Sequence, residues 1–502
     1  MSEESRGVTV TPQDERYREL VEGYNHRFTG RPEVIRRVST TGEVVAAVQD
    51  AVVTGRRIAV RSGGHCFEDF TASPDIQVLL DLSPLSAISY DEEMRAFAVG
   101  GGATLDRLYR ELYEGWGVTV PAGTCFEVGV GGHICGGGYG HLSRRDGLVV
   151  DHLYAVEVVT VDGDGRVRAR VATREPGDPH HDLWWAHTGG GGGNFGVVTR
   201  FWLRSPGGPP SAPEQALPRA PRRIRRADVT WSWDTLDETS FTALLRNYTA
   251  WYEKNSAPDS PARHIWSNLV VLHRSAGTFF MNTVVDEDVP GAADLMAQHL
   301  EAITSGVGAD PVSLEERVVP WMDTWMPSYS WPSDPRGRYK NKAGYLRSGF
   351  TDHQMAAVHR HLTDPGYRNP MACLVLTGFG GQVNAVASDA TAVPQRDAIL
   401  KASYSAGAWT SPDEDRRHIA WVRRFYRDVY AATGGVPRPD DVNDGSYISY
   451  PDVDLADPVW NTSDTGWQLL YYKGNYPRLQ QVKKRYDPRN VFRHALSVEL
   501  PA

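Results

Sequence analysis

The 502-residue chain has little cysteine, no excess of positive charge and no long apolar run. Its four cysteines, Cys66, Cys125, Cys135 and Cys373, are too few to staple a chain of this length, which excludes a disulfide framework. No stretch of about 18 apolar residues occurs, so nothing reads as a membrane-spanning helix. The N-terminus, MSEESRGVTV, lacks the basic start and apolar stretch of a secretory signal, and the expectation is a cytoplasmic protein. A net charge of −9 offers no general attraction to nucleic acid or an anionic membrane. The basic run Arg219 to Arg226 lies among prolines and reads as solvated linker. Cys66, Cys125 and Cys135 do not show the close Cys-Cys spacing of a structural zinc site, so no metal is expected. No glycine run leads into Gly-Lys-Ser/Thr, and none joins a strand to a helix as GxGxxG, which disfavours phosphate-loop and nicotinamide folds.

What is present suits a folded enzyme. Hydrophobic residues at 41% and charged residues at 23% allow a sizeable core, and the length suggests about two to four domains. A helix is expected after Thr41, closed by Gly55, followed by the short buried strand RRIAVRSGG. A second helix, LDRLYRELYEG, is expected to close at Gly115. LYAVEVVTV and RVRARVAT flank the turn DGDG and read as a hairpin. Residues 205–226 are rich in Pro, Gly and Arg and read as a linker. Residues 227–440 alternate strands with amphipathic helices, the pattern of an antiparallel sheet with helices on one face. LLYYKGN reads as strand-like, followed by a short helix.

Three segments carry chemistry. Arg61-Ser62-Gly63-Gly64-His65-Cys66 follows a strand, and its paired glycines let backbone N–H groups approach an anion. Alone, this leaves His65 open between a site residue and a hydrogen-bonded loop residue. Gly123-Thr124-Cys125 precedes VGVGGHICGGGYG, with six glycines in ten residues: Gly129, Gly131, Gly132, Gly136, Gly137 and Gly138. Glycine is costly in regular elements, by roughly 0.5–1 kcal/mol against Ala, so such density points to a loop wrapped around a ligand. The third is the run from Gly189 to Gly193 leading through Asn-Phe-Gly to Val197 and Val198.

Together with SYISYPD and YYKGNYPRLQQVKKRYDPRNVFRH, these segments resemble the berberine-bridge-enzyme-like FAD-linked oxidases, in order and over almost the whole chain. The resemblance implies an α+β fold: a two-part FAD-binding domain of the vanillyl-alcohol-oxidase type and a substrate domain with a helix-covered antiparallel sheet. The implied boundaries are 1–204 for FAD (core 28–204), 205–226 for the linker, 227–445 for substrate, and 446–502 returning to the FAD domain. His65 matches the histidine bonded to the flavin 8α carbon, and Cys125 the cysteine bonded to C6 in the bicovalent subgroup. Arg61, Ser62, Gly63, Gly64 and the 129–138 loop, with His133, match cofactor contacts, as do Val198 and Asn475. The second tyrosine of Tyr447-Ile448-Ser449-Tyr450-Pro451-Asp452 matches the base, with Tyr447 and Tyr139 beside it.

Oxidising an alcohol needs a base for the O–H proton while hydride leaves carbon. A free tyrosine, with a pKa of about 10, needs a partner to serve near neutrality. Candidates are Tyr447, Lys401 and Tyr404. GFGGQVN reads as a strand with Phe379, Gln382 and Asn384, and Trp231, Trp266, Trp321, Trp325, Tyr329 and Trp331 are candidate substrate aromatics. The implied substrate is a sugar or a glycosylated or polyketide alcohol, with O2 as acceptor and a monomer or homodimer as the working form. Two other readings remain at this point: an oxidative cyclase, and a flavin-binding protein without catalysis, which the tyrosine pair disfavours.

Overall fold

The computed structural model describes residues 7–325 and 337–502. Sixteen strands among the described residues form three sheets, numbered in chain order. A four-stranded sheet contains β1 (Val8–Val10), β2 (Val34–Arg37), β3 (Ile58–Arg61) and β4 (Val78–Asp81). A five-stranded sheet contains β5 (Ile88–Asp91), β6 (Ala96–Gly100), β7 (Leu153–Val161), β8 (Val167–Thr173) and β9 (Val197–Leu203). The third sheet has seven strands: β10 (Arg223–Ser232), β11 (Trp266–Leu272), β12 (Thr278–Asp286), β13 (Ser313–Pro320), β14 (Arg338–Leu346), β15 (Cys373–Gly378) and β16 (Leu400–Trp409).

The first sheet runs in the order β1-β2-β4-β3, with β2, β4 and β3 parallel. The helix Thr41–Thr54 follows β2 and leads back to β3. Thr40 caps it by accepting from the Glu43 N–H, and Gly55 ends it at φ +67, a left-handed conformation that costs glycine least. The second sheet, β5-β6-β9-β7-β8, contains the expected hairpin, with Val161 opposite Val167.

The seven-stranded sheet is antiparallel throughout, in the order β13-β10-β12-β11-β15-β16-β14. Side chains alternate between its faces. On one face, Tyr248 and Tyr252 of the helix Glu238–Asn255 bond to Ser267, and Tyr426 of the helix Asp415–Val429 donates to the Ala343 carbonyl. The other face is free to line a cavity. That is the layer arrangement expected for residues 227–440.

Several local expectations fail for identifiable reasons. The basic run is not all linker: the chain enters β10 at Arg223. Arg225 pairs with Glu287 at 2.9 Å and with Glu316, and the buried Arg226 pairs with Asp228 at 2.8 Å. The counter-charges of Arg225 come from residues far away in sequence. The second helix runs on through Gly115 and ends at Gly117, which takes the left-handed cap at φ +66. LLYY lies in the helix Trp467–Tyr472 rather than a strand, and GFGGQVN turns at Gly381–Ala385 instead of extending. Its glycines Gly380 and Gly381 both adopt positive φ, which a strand does not tolerate.

Candidate active site

A cavity of about 730 Å³ lies between the two smaller sheets and the free face of the third. That volume falls in the range of a cofactor or substrate pocket. One wall is backbone: Ser62–Gly64 after β3, Gly129, Gly131 and Gly132, and the 191–193 and 196 glycines before β9. These glycines serve two ends. A Cβ at Gly63 would stand 2.2 Å from the Gly129 nitrogen, so here loop packs on loop. A Cβ at Gly132 would meet nothing within 4 Å, so here the backbone is bare toward the cavity.

His65 and Cys125 both line this wall. The Tyr24 ring stacks on His65 at 4.4 Å between centroids, and burial pushes the imidazole down to about 4. It is therefore neutral at pH 7, with a lone pair available. Burial, with the Glu127 carboxylate 3.5 Å from its sulfur, pushes the Cys125 thiol up to about 12. His133 accepts the Gly123 N–H at 3.1 Å and so anchors the loop that carries Cys125.

The opposite wall is side chain. Tyr139, Tyr447 and Tyr450 meet there, brought from positions some 300 residues apart. The hydroxyls of Tyr139 and Tyr450 are 2.8 Å apart, and Tyr447 Oη accepts the Gly138 N–H at 3.1 Å. Lys401 Nζ lies 3.2 Å from the ring centroid of Tyr139, 3.9 Å from Tyr450 and 4.6 Å from Tyr447. It is buried with no hydrogen-bond partner. Burial raises the pKa of all three phenols and lowers that of the amine well below its ordinary value. Burial thus favours the neutral forms, a protonated phenol beside an uncharged amine. Tyr404, the other candidate on β16, faces the helices instead and bonds to Tyr430 at 3.2 Å.

Beyond the tyrosines, β11, β12, β14, β15 and β16 present Trp266, Val270, Phe280 and Val375 alongside Asn268, Asn282, Asn341, Thr377, Ser403 and Ser405. Asn282, Asn268, Thr377 and Lys401 lie opposite one another on successive strands and form a polar row that ends at the tyrosines.

Other expected site residues are placed differently. Val198 lines the cavity, and so does Arg61, but the Arg61 guanidinium is engaged by the Leu20 carbonyl and by Asp81 at 3.5 Å. Gly136, Gly137 and Gly138 lie behind the wall, against Ser449, Val393 and Val149 respectively. Asn475 is buried away from the cavity and donates to the carbonyls of Ser388 and Thr391. Among the described tryptophan side chains only Trp266 reaches the cavity; Trp231 and Trp321 are core. Tyr329 and Trp331 lie outside the described residues, as does the side chain of Trp325. Sequence reasoning missed Tyr24 and Phe67, which stack on His65 and Tyr450. Phe67, two residues beyond His65, carried the only local signal.

Comparison with known proteins agrees with this geometry. Residues 32–168 match the FAD binding domain family, and residues 446–499 the family described as berberine and berberine like. Aclacinomycin-N/aclacinomycin-A oxidase of Streptomyces galilaeus is 49% identical over 98% of this chain and 90% of its own length. The crystal structure of CrmK, a flavoenzyme of caerulomycin biosynthesis, superposes with a TM-score of 0.96 at 51% identity, covering 98% of this chain and 99% of that one. Glycopeptide hexose oxidase DBV29, solved with teicoplanin, gives 0.93 at 50% identity over 98% of both chains. The chain belongs to the berberine-bridge-enzyme-like family of FAD-linked oxidases.

Proposed function

We propose that this protein oxidises a hydroxyl-bearing carbon of a sugar or of a glycosylated or polyketide natural product, with FAD bonded to His65 and Cys125 and O2 as final acceptor. The observation that carries the reading is the cluster of Tyr139, Tyr450 and Lys401 facing the His65–Cys125 wall across one cavity. Residues 1–204 with 446–502 are assigned to the cofactor, and the sheet of 227–445 to the substrate. The proposal includes a cytoplasmic protein working as a monomer or homodimer.

The donor set fits FAD. Bare backbone at Gly132 and near Gly192 leaves room for a group that a Cβ would displace. Neutral His65 offers a ring nitrogen, and Glu127 stands beside the Cys125 thiol as the base that would release its nucleophilic thiolate. Gly63, Gly64 and Gly132 are assigned to the pyrophosphate. Bound there, FAD supplies the hydride acceptor.

The rest is work for the protein. Tyr450 accepts the substrate O–H proton, directly bonded to Tyr139. Lys401 lies over both ring faces with no carboxylate to serve, so its charge can be spent on a tyrosinate. A tyrosinate and an ammonium, each disfavoured by burial alone, stabilise each other as a pair. The sheet supplies apolar surface for a ring system and hydroxyl and amide groups for its oxygens. The relatives named for aclacinomycins and for a glycopeptide hexose support a glycosylated substrate.

Anaerobic mixing of the purified protein with a panel of hexoses, anthracycline glycosides and glycopeptides tests the reaction, with flavin bleaching as readout. Bleaching by none of them would remove the substrate class. Denatured wild-type protein should keep its yellow colour. The double variant His65→Ala/Cys125→Ala should lose it, and pigment retained on that chain would overturn the attachment sites.

A further inference from the structure

Two lysines and three carboxylates are buried together, with a half-buried arginine at their edge. Lys340 and Lys342 project from β14, Arg423 from the helix Asp415–Val429, Glu68 from the His65 segment, and Asp452 and Asp454 from the chain just after Tyr450. Lys340, Lys342, Glu68, Asp452 and Asp454 are each 5% exposed or less. Lys340 Nζ lies 2.7 Å from Glu68 and 2.8 Å from Asp452. Lys342 bonds to Asp452 and, at 3.0 Å, to Asp454, which also receives Arg423 at 2.6 Å. Facing acids hold the Lys340 ammonium above its ordinary pKa, and facing cations hold Asp454 far below its own.

Such a cluster is a poor device for stability. Taking ions out of water costs about as much as their pairing returns, and apolar replacements are often no worse. Its location suggests another use. Glu68 is three residues beyond His65, and Asp452 two beyond Tyr450. Lys340 is the group that touches both. Its neighbour Tyr339 packs on the same two sides: at 5.4 Å on Tyr24, which stacks on His65, and at 5.1 Å on Phe67, which stacks on Tyr450. Asn25 donates to the carbonyls of both Phe67 and Tyr339 and closes the arrangement.

We infer that Lys340 is a positioning residue: its ammonium, shared between Glu68 and Asp452, fixes the separation of the cofactor-bearing His65 segment from the Tyr450 turn. The inference rests on the proposed roles of His65 and Tyr450. A base misplaced by about 1 Å can cost on the order of a hundredfold in rate, so a rigid spacer between two distant segments has a direct effect on turnover.

Two variants separate positioning from mere support. Glu68→Gln removes the charge from the arm toward His65, weakening that bond, and leaves the remaining pairs in place. Lys342→Met disturbs the same cluster but does not cut the bridge. In the holoenzyme, Glu68→Gln should lower kcat about tenfold or more with KM within about twofold. It should also raise amide hydrogen exchange in residues 63–70 and 447–454 together. Lys342→Met should lower the melting temperature at least as much as Glu68→Gln does and keep kcat within about twofold. Equal kcat losses in both variants, or exchange rising in one segment only, would overturn the inference. Tyr450→Phe in the same assay keeps the two ideas apart: full activity there removes the base, while coupled exchange continues to report on the spacer.

Discussion

One wall of the cavity is made of backbone and the other of side chains, and they hold different kinds of information. The backbone wall comes from three loops, each a continuous run of sequence: 62–65, 123–138 and 189–198. It makes no choice among substrates; it offers bare N–H groups and the side chains of His65 and Cys125. The side-chain wall draws Tyr139 from the first domain, Lys401 from β16, Asn268 and Thr377 from β11 and β15, and Tyr447 and Tyr450 from the C-terminal stretch. The residues proposed to hold the cofactor thus sit in recognisable runs of sequence, and those proposed for the chemistry do not. The division sharpens into a ranking of expected effects, from reaction rate down to one methyl group.

The largest effect belongs to the side-chain wall. Tyr450→Phe should slow anaerobic flavin bleaching by about 10²–10⁴-fold, the usual worth of a positioned acid or base, with the visible spectrum unchanged. An altered spectrum would mean that Tyr450 also shapes the cofactor wall, and the division would fail. Stopped-flow reduction measures both quantities in one experiment.

Acid tests whether the walls stand together. His187 is buried against Phe195 at the cavity, His141 lies against Trp266 of the sheet, and His299 is packed against Trp251. Burial pushes His187 down to about 4 and the other two to about 3. Their folded pKa values lie below the unfolded value, so the unfolded chain binds more protons as pH falls below about 6.5. Stability is therefore full above about 6.5 and is lost as pH falls toward 4, by about 1.4 kcal/mol per histidine between pH 7.5 and 5.5. Thermal unfolding across that range should move down as a single transition. Two transitions that separate with acid would show the walls to be independent units.

These contrasts follow what was legible in the chain. The glycine runs stand out locally, because glycine density has few other physical causes. His65, Cys125 and the Tyr447–Tyr450 spacing were legible only through the family resemblance. Lys401 could be proposed as a helper only alongside Tyr404, because which of two residues on one strand faces the cavity depends on register, and register is set by distant strands. Asn475 and Gly136–Gly138 fell on recognisable motifs, yet their side chains or Cα atoms support the walls from behind. The basic run at 219–226 was misleading because its acids, Glu287 and Glu316, arrive only when β10 pairs with its neighbours. Layers and the hairpin were readable from hydrophobic period; the side-chain wall needed the folded molecule.

Lys401→Met should have a smaller effect than loss of the base. Without the amine, a Tyr450 anion loses the cation over its ring, so its ionisation moves to higher pH. The acid limb of the kcat profile should shift upward by about one to two pH units, with about 10–100-fold lower activity at pH 7 that recovers as pH rises. A profile lowered uniformly at every pH would assign Lys401 to packing alone.

The finest test concerns two glycines on the same wall. Gly63→Ala would force a Cβ to 2.2 Å from the Gly129 nitrogen, and backbone cannot move aside as a flexible side chain can. The two loops must separate, at about 1–3 kcal/mol by analogy with overpacked cores. Gly132→Ala meets no protein atom within 4 Å, so the fold itself should be indifferent, within about 0.5 kcal/mol. Its methyl group would occupy space assigned to the cofactor. The two variants should therefore part in opposite ways. Gly63→Ala should lower the melting temperature of the protein whether or not it carries flavin. Gly132→Ala should melt normally when flavin-free and be isolated with a smaller fraction of chains carrying flavin. Calorimetry on flavin-free and flavin-loaded protein, with absorbance counting the bound chromophore, decides between them. Normal flavin content in Gly132→Ala would mean that this stretch of bare backbone faces solvent beside the cofactor, and Gly132 would drop out of the backbone wall.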